Sequence, residues 1–310
     1  MKKIIIFLVL IISCNFNQRR ITAPVKTKVP SIFNELAPEN QRFYILPNVD
    51  NEITSKNGSI FYIQKDSIAL PSTYKEGDMI QVDLMEYTKP IHFISTGYSL
   101  EFIEKNNHLQ LDSAGMFDIH AYYNNSELNL NKNISVKFTN INPGKSYNVY
   151  KVIDNEWKYA GSNQESISES LPSFIKYRQF KKIDTFTLWN FDLPIENSCI
   201  NLSLKSFKLD QKNSFFYSVF STSNLRLNTK WGYSNSININ VPIDDSVNII
   251  FWFENKIAII KGINTPKDPL GKNNYPNDQN CVKKGDFNLN FLPEEIFKDE
   301  NARFQFLYSK

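Results

Sequence analysis

A chain of 310 residues, 41% of them apolar, is long enough for two domains, or one elongated two-layer body, around a full hydrophobic core. Its 35 Lys and Arg against 32 Asp and Glu give a formal charge of +3, and Lys2 and Lys3 lie in a stretch expected to be removed, so the working body is close to neutral. That excludes the concentrated basic face on which phosphate-backbone binding depends, and with it nucleic acid as a partner class.

The chain opens with Met1-Lys2-Lys3, continues through the apolar run 4–12 and reaches Ser13-Cys14. That run falls short of the roughly 20 residues needed to cross a hydrocarbon core of about 30 Å, so 1–13 read as a secretory signal and not as a membrane span. The ending Ile11-Ile12-Ser13-Cys14 resembles a bacterial lipobox. The resemblance implies cleavage before Cys14, acylation of that cysteine and attachment to a membrane by lipid. In many Gram-negative lipoproteins an Asp after the lipidated cysteine retains the protein at the inner membrane. Asn15 stands there, so the resemblance implies the outer membrane. Asn15-Phe16-Asn17-Gln18 lacks the acidic cluster that several Bacteroidota lipoproteins use as a surface-export tag, which leaves the facing open. Residues 14–40 are expected to form a tether. Its Arg19, Arg20, Lys26 and Lys28 precede the first acid, Glu35; they suit either a solvated linker or a basic strip against anionic head groups.

From about residue 41 the apolar side chains recur with period two. Ile80, Val82 and Leu84 alternate with Gln81 and Asp83, which puts them on one face of an extended chain. The pattern repeats in Phe117-Asp118-Ile119-His120-Ala121, Glu127-Leu128-Asn129-Leu130 and Ile134-Ser135-Val136-Lys137-Phe138, and later in Ile237-Asn238-Ile239-Asn240-Val241 and Phe287-Asn288-Leu289-Asn290-Phe291. Short alternating strands between Asn, Ser, Gly and Pro clusters predict an all-β chain of two antiparallel β-sandwiches. The boundaries expected are a first sandwich over 41–160, a connecting segment over 161–194 and a second sandwich over 195–292. The connector rests on the aperiodic Asn163-Gln164-Glu165-Ser166 stretch and on a break at Asp192-Leu193-Pro194. Ile249-Ile250-Phe251-Trp252-Phe253 and Ile257-Ala258-Ile259-Ile260, joined through Glu254-Asn255-Lys256, read as a central hairpin. Pro293, Glu294 and Glu295 signal the start of a short helix in 293–310, with Ile296, Phe297 and Phe304 free to dock.

Two motifs carry a further resemblance. The strand Ile80-Gln81-Val82-Asp83-Leu84-Met85-Glu86 leading to Ser95-Thr96-Gly97, and Leu111-Asp112-Ser113-Ala114-Gly115-Met116-Phe117 with the strands after it, resemble a β-sandwich module of uncharacterised Bacteroidota lipoproteins, distantly like the ZU5 module. The step Trp189-Asn190-Phe191-Asp192-Leu193-Pro194 is similar to the aromatic-Asn-x-Asp step after which such proteins begin their next domain. The resemblance spans 58–138 and implies a fold, with no chemistry attached. Gly115, before a strand, is expected where positive φ or close approach is needed.

Chemistry is sparse. Asp118 and His120 share a strand face with Ser113 upstream, but no Gly-x-Ser-x-Gly elbow accompanies them, so no catalytic residue is assigned. His92 and His120 have no third ligand at local spacing, and Asp244, Asp245 and Asp278 lack the alternating oxygens of a calcium loop, so neither metal nor cofactor is expected. Trp157 and Trp231, in polar surroundings, are the candidate ligand platforms, whereas Trp252 in its apolar run reads as core. In an oxidising compartment Cys199 and Cys281 are candidates for a disulfide, the alternative being two independent small apolar residues. Asp66-Ser67, Asp112-Ser113 and Asp245-Ser246 resemble Bacteroidota O-glycosylation acceptors.

The reading that follows is a lipid-anchored envelope protein, bound to the membrane through Cys14, that acts as a non-catalytic binding or scaffolding module for an envelope protein or glycan. Loop 264–280 and exposed strand edges would make the contact. The alternatives are a surface carbohydrate-binding adhesin, which needs Trp157 or Trp231 exposed along a groove, and a hydrolase of envelope glycan or peptide, which needs a cleft where Asp118, His120 and another carboxylate converge.

Overall fold

The computed structural model describes residues 26–104, 107–139, 147–162, 177–205, 214–221, 227–269 and 280–308. Cys14 and the signal segment lie outside them, as do Asp278 and much of loop 264–280.

The alternation seen in the sequence is realised as antiparallel sheets. The largest sheet runs in the order Gln41–Ile45, Ile80–Tyr87, Asn107–Tyr123, Leu188–Leu204, Asn148–Ile153 and Glu156–Ser162. Against its inner face packs a four-stranded sheet of Tyr177–Ile183, Ile134–Thr139, Ile60–Ile63 and Asn51–Thr54. Ile80, Val82 and Leu84 all point into the space between, as period two requires. Its centre is aromatic. Phe117 has Phe61 at 5.1 Å, Phe138 at 5.7 Å and Phe191 at 6.2 Å, and Phe138 stacks on Phe191 at 5.3 Å.

The second sandwich pairs the sheet Leu227–Gly232, Phe215–Ser221, Ser246–Phe253, Lys256–Asn264 and Leu292–Pro293 with a layer made of Ser236–Pro242, Val282–Phe287 and the far half of Leu188–Leu204. The hairpin expected around Glu254-Asn255 is present. Both turn residues adopt positive φ, 48° and 60°, the geometry of a two-residue turn whose twist matches the strands. Cys199 and Cys281 form a disulfide with their Cα atoms 4.6 Å apart. It ties Leu188–Leu204 to the residue preceding its parallel neighbour Val282–Phe287.

Two expectations are corrected here. The segment 161–194 is not a connector throughout, because Tyr177–Ile183 is an edge strand of the four-stranded sheet. Nor does the chain break at Asp192-Leu193-Pro194. Leu188–Leu204 is one continuous strand, pairing with Asn107–Tyr123 over Leu188 to Glu196 and with Ser236–Pro242 over Asn197 to Ser203. Pro194 is tolerated because it stands opposite Leu111, whose N–H donates away from it to Leu100 O, and because pairing with Asn148–Ile153 on its other side ends at Asp192, so no ladder hydrogen bond needs its missing N–H. The register shift between Phe191 and Asp192 lies beside Gly115 at φ 126°, where glycine is comfortable.

The tether is also shorter than expected. From residue 26 the chain is docked: Thr27 N–H donates to Gly97 O at 2.8 Å, Trp231 Nε1 donates to Lys28 O at 3.0 Å, and the 3₁₀ turn Ser31–Leu36 buries Ile32, Phe33 and Leu36. Gly97, at φ +70°, closes the helix Pro90–Thr96, and a Cβ there would meet Thr27 O at 2.3 Å, so the docking requires glycine. These residues join a third core between the outer face of the large sheet (Tyr87, Met116, Val152, Leu188) and the second sandwich (Phe216, Phe220, Ile250, Ile257). The C-terminal turn Glu294–Phe297 and helix Glu300–Tyr308 seal it with Phe297 and Leu307. Phe304, expected to dock, points outward and is 63% exposed. Among the described residues no helix is long and apolar enough to cross a membrane.

Candidate functional site

The outer face of the large sheet is not wholly covered by the third core. Where Ile80–Tyr87 and Asn107–Tyr123 run side by side, a cleft of ≈ 670 Å³ remains, lined among others by Lys26, Tyr87, Tyr98, Asp118, His120 and Asp154. Each wall has a local cause. Asp118 and His120, two apart on one strand, face the same way, and Met85 lies directly across from Asp118 in the ladder. Asp154 and Asn155 form the two-residue turn between Asn148–Ile153 and Glu156–Ser162, with φ 53° and 61°, a conformation that Asp and Asn tolerate. Tyr98 follows the Gly97 cap, and Lys26 Nζ lies 5.2 Å from its ring centroid.

His120 is held from both sides. Its Nε2 is 2.9 Å from Asp118 Oδ1 and its Nδ1 2.5 Å from Glu127 Oε1. The Asp118 hydrogen bond, with smaller help from Glu127, raises the imidazole pKa to about 9 against the cost of partial burial, so the ring is an imidazolium at neutral pH. Burial, and then the charge of Asp118, pushes the phenols of Tyr87 and Tyr98 upward. Among the described residues Tyr87 Oη has only the sulfur of Met85, at 3.9 Å, as a hydrogen-bond partner.

The hydrolase reading is thus met in part: Asp118, His120 and a second carboxylate, Glu127, do converge at a cleft. The serine upstream is not part of it. Ser113 is fully buried, donates to Asn190 Oδ1 at 2.6 Å and accepts from Gly115 N–H at 3.0 Å. It belongs to a buried polar chain in which Asn190 Nδ2 also donates to Asp192 Oδ2. An imidazolium held by two carboxylates does not serve as a general base, and among the described residues no hydroxyl is hydrogen-bonded to His120.

The tryptophan platforms are corrected as well. Trp157 is 1% exposed and packs beneath Tyr98, ring centroids 5.4 Å apart, so it supports the cleft wall instead of presenting a face. Trp231 is half-buried under the amino-terminal segment and stands edge-on to Phe216 and Trp252. Trp252, expected in the core, is partly buried and donates to Glu294 Oε2 at 2.6 Å. His92 borders a different cavity, of ≈ 420 Å³, beside Lys89 and Arg303; burial and then those charges lower its pKa to about 4. Asp245 is occupied by Ser246 N–H and Ser221 Oγ, each at 2.7 Å, and among the described residues no group of three or more His, Cys, Asp or Glu is arranged to hold a metal ion. Of the glycosylation candidates, Ser67 and Ser113 are fully buried and closed to a transferase, and Ser246 is half-buried.

Sequence reasoning missed Tyr87, Tyr98 and Asp154 as cleft residues. Tyr87 carried a signal, since it continues the outward-facing register of Gln81, Asp83 and Met85.

No family model and no curated protein matches the chain. Among solved structures, one titled "Trapped Toxin" aligns over 84% of this chain and 71% of its own at 8% identity and a TM-score of 0.14, a likeness too slight to carry an argument.

Proposed function

We propose that the protein is an outer-membrane, lipid-anchored envelope component that binds a protein or glycan partner without transforming it, and that the cleft beside Asp118 and His120 is its binding seat. The observation that carries this is the state of His120. Clamped between Asp118 and Glu127, it sits in a walled, polar cleft rich in hydrogen-bonding groups, and among the described residues no hydroxyl is hydrogen-bonded to it. Kinship with Bacteroidota lipoproteins carrying a ZU5-like module belongs to the same proposal.

The anchor rests on the lipobox-like Ile11-Ile12-Ser13-Cys14, and the docked segment gives it a consequence. Residues 15–25 separate Cys14 from Lys26, which lines the cleft. At about 3.5 Å per residue that leash reaches at most roughly 40 Å, so the cleft works close to the bilayer. Metabolic labelling with a palmitate analogue tests the reading: label and membrane partitioning are expected for the natural chain and lost in Cys14→Ser. An unlabelled, freely soluble natural chain contradicts the anchor. Turnover of an envelope polymer that His120→Ala abolishes contradicts the non-catalytic role.

A further inference from the structure

We infer that the cleft is shaped for a neutral, hydroxyl-rich ligand, a saccharide, gripped between the phenol of Tyr87 and the carboxylate of Asp118; this rests on the cleft being the binding seat. Tyr87 is buried, yet among the described residues its hydroxyl reaches only a thioether, a weak acceptor. Asp118 lies on the neighbouring strand, one step diagonally along the same face, close enough for its charge to act on the phenol. The group that satisfies both at once is an alcohol, which accepts from Tyr87 and donates to Asp118.

Charge narrows the class further. Lys26 and the His120 imidazolium oppose Asp118 and Asp154 around the cleft, so neither a polyanion nor a polycation finds a matching field. The floor is apolar at Val152 and Leu188, which suits the C–H face of a sugar ring. A volume of ≈ 670 Å³ lies within the range of small-ligand sites.

The test is calorimetric titration of the full chain in non-glycosidic micelles with N,N′-diacetylchitobiose and maltose as neutral probes, a hyaluronan disaccharide as the acidic probe and deacetylated chitobiose as the cationic one. Saturable binding of a neutral probe is expected, weakened about tenfold in Tyr87→Phe, one hydrogen bond to a charged network. Asn155→Gly, on the exposed turn where glycine accepts the positive φ, removes a lining side chain, weakens binding with no core change and guards against a folding artefact. Tyr87-dependent binding that prefers a charged probe overturns the ligand class while leaving the cleft as the seat. Neutral binding indifferent to Tyr87→Phe and Asn155→Gly overturns the location, and no binding by any probe overturns the inference, with the anchored-module reading judged separately by palmitate labelling.

Discussion

The indole N–H of Trp231 donates to the backbone carbonyl of Lys28 at 3.0 Å, so a residue of the second sandwich holds the segment that follows the proposed anchor, Cys14. Arg303 adds a second clasp, its Nη1 donating to Glu35 O at 3.3 Å and to Phe297 O at 2.9 Å. Both ends of the described chain therefore close the same apolar seam, and force on the proposed membrane anchor would act on the joint between the sandwiches.

Phe33 is the keystone of that joint, with Phe216 at 5.0 Å and Phe297 at 5.9 Å. Phe33→Ala is expected to cost about 3–5 kcal/mol, the usual result of emptying a buried aromatic site. Urea unfolding measures it. A loss below about 1 kcal/mol would mean that the segment does not hold the sandwiches together.

His120 makes stability depend on pH. Its folded pKa, about 9, lies above the unfolded 6.5, so its contribution is complete below 6.5 and is lost as pH rises through 9. The urea midpoint of the natural chain should fall across that window more steeply than that of His120→Gln. Parallel profiles would show that the clamp by Asp118 and Glu127 is absent in solution.

Asp192 points the same way for a different reason. Full burial, and secondarily the neighbouring charge of Asp112, holds its carboxyl well above 3.8, so the fold prefers it protonated and that preference becomes a cost as pH rises. Asp192→Asn keeps the shape and the bond from Asn190 without a proton to lose. Relative to the natural chain it should gain stability with increasing pH, and a uniform loss at every pH would contradict this.

Cys199 and Cys281 close a loop across a sequence separation of 82. Chain entropy puts an upper bound of about 4–5 kcal/mol on what that closure contributes. Comparing urea midpoints with and without reductant, with Cys199→Ser as control, checks it. Equal midpoints would show that the closure adds nothing to stability.

Much of the fold was legible in the residues. The alternation in Ile80-Gln81-Val82-Asp83-Leu84 and the Glu254-Asn255 turn are local signals, and each became the element it predicted. What misled was long-range. Pro194 reads as a break, yet no neighbouring strand requires its missing N–H, because Leu111 opposite it bonds elsewhere and Asn148–Ile153 stops pairing at Asp192. The segment from Lys26 reads as polar linker until its apolar Ile32, Phe33 and Leu36 find partners far away in sequence. The cleft was half visible: Asp118 and His120 drew notice through spacing, while Glu127 arrives through a hairpin and Tyr98 through a helix cap. Trp157 was misjudged because charged neighbours alternate with it on a strand whose other face is buried.

The central claim is that the cleft beside Asp118 is where the partner sits, and Met85 reports on it directly. Met85 lines the cleft, whereas Met79 is 58% exposed and lies away from it. Methyl NMR of the ¹³C-methionine-labelled full chain in micelles, titrated with soluble fragments of purified envelope glycan, should move the Met85 resonance to saturation and leave Met79 in place. Saturating binding with an unmoved Met85 would contradict the account.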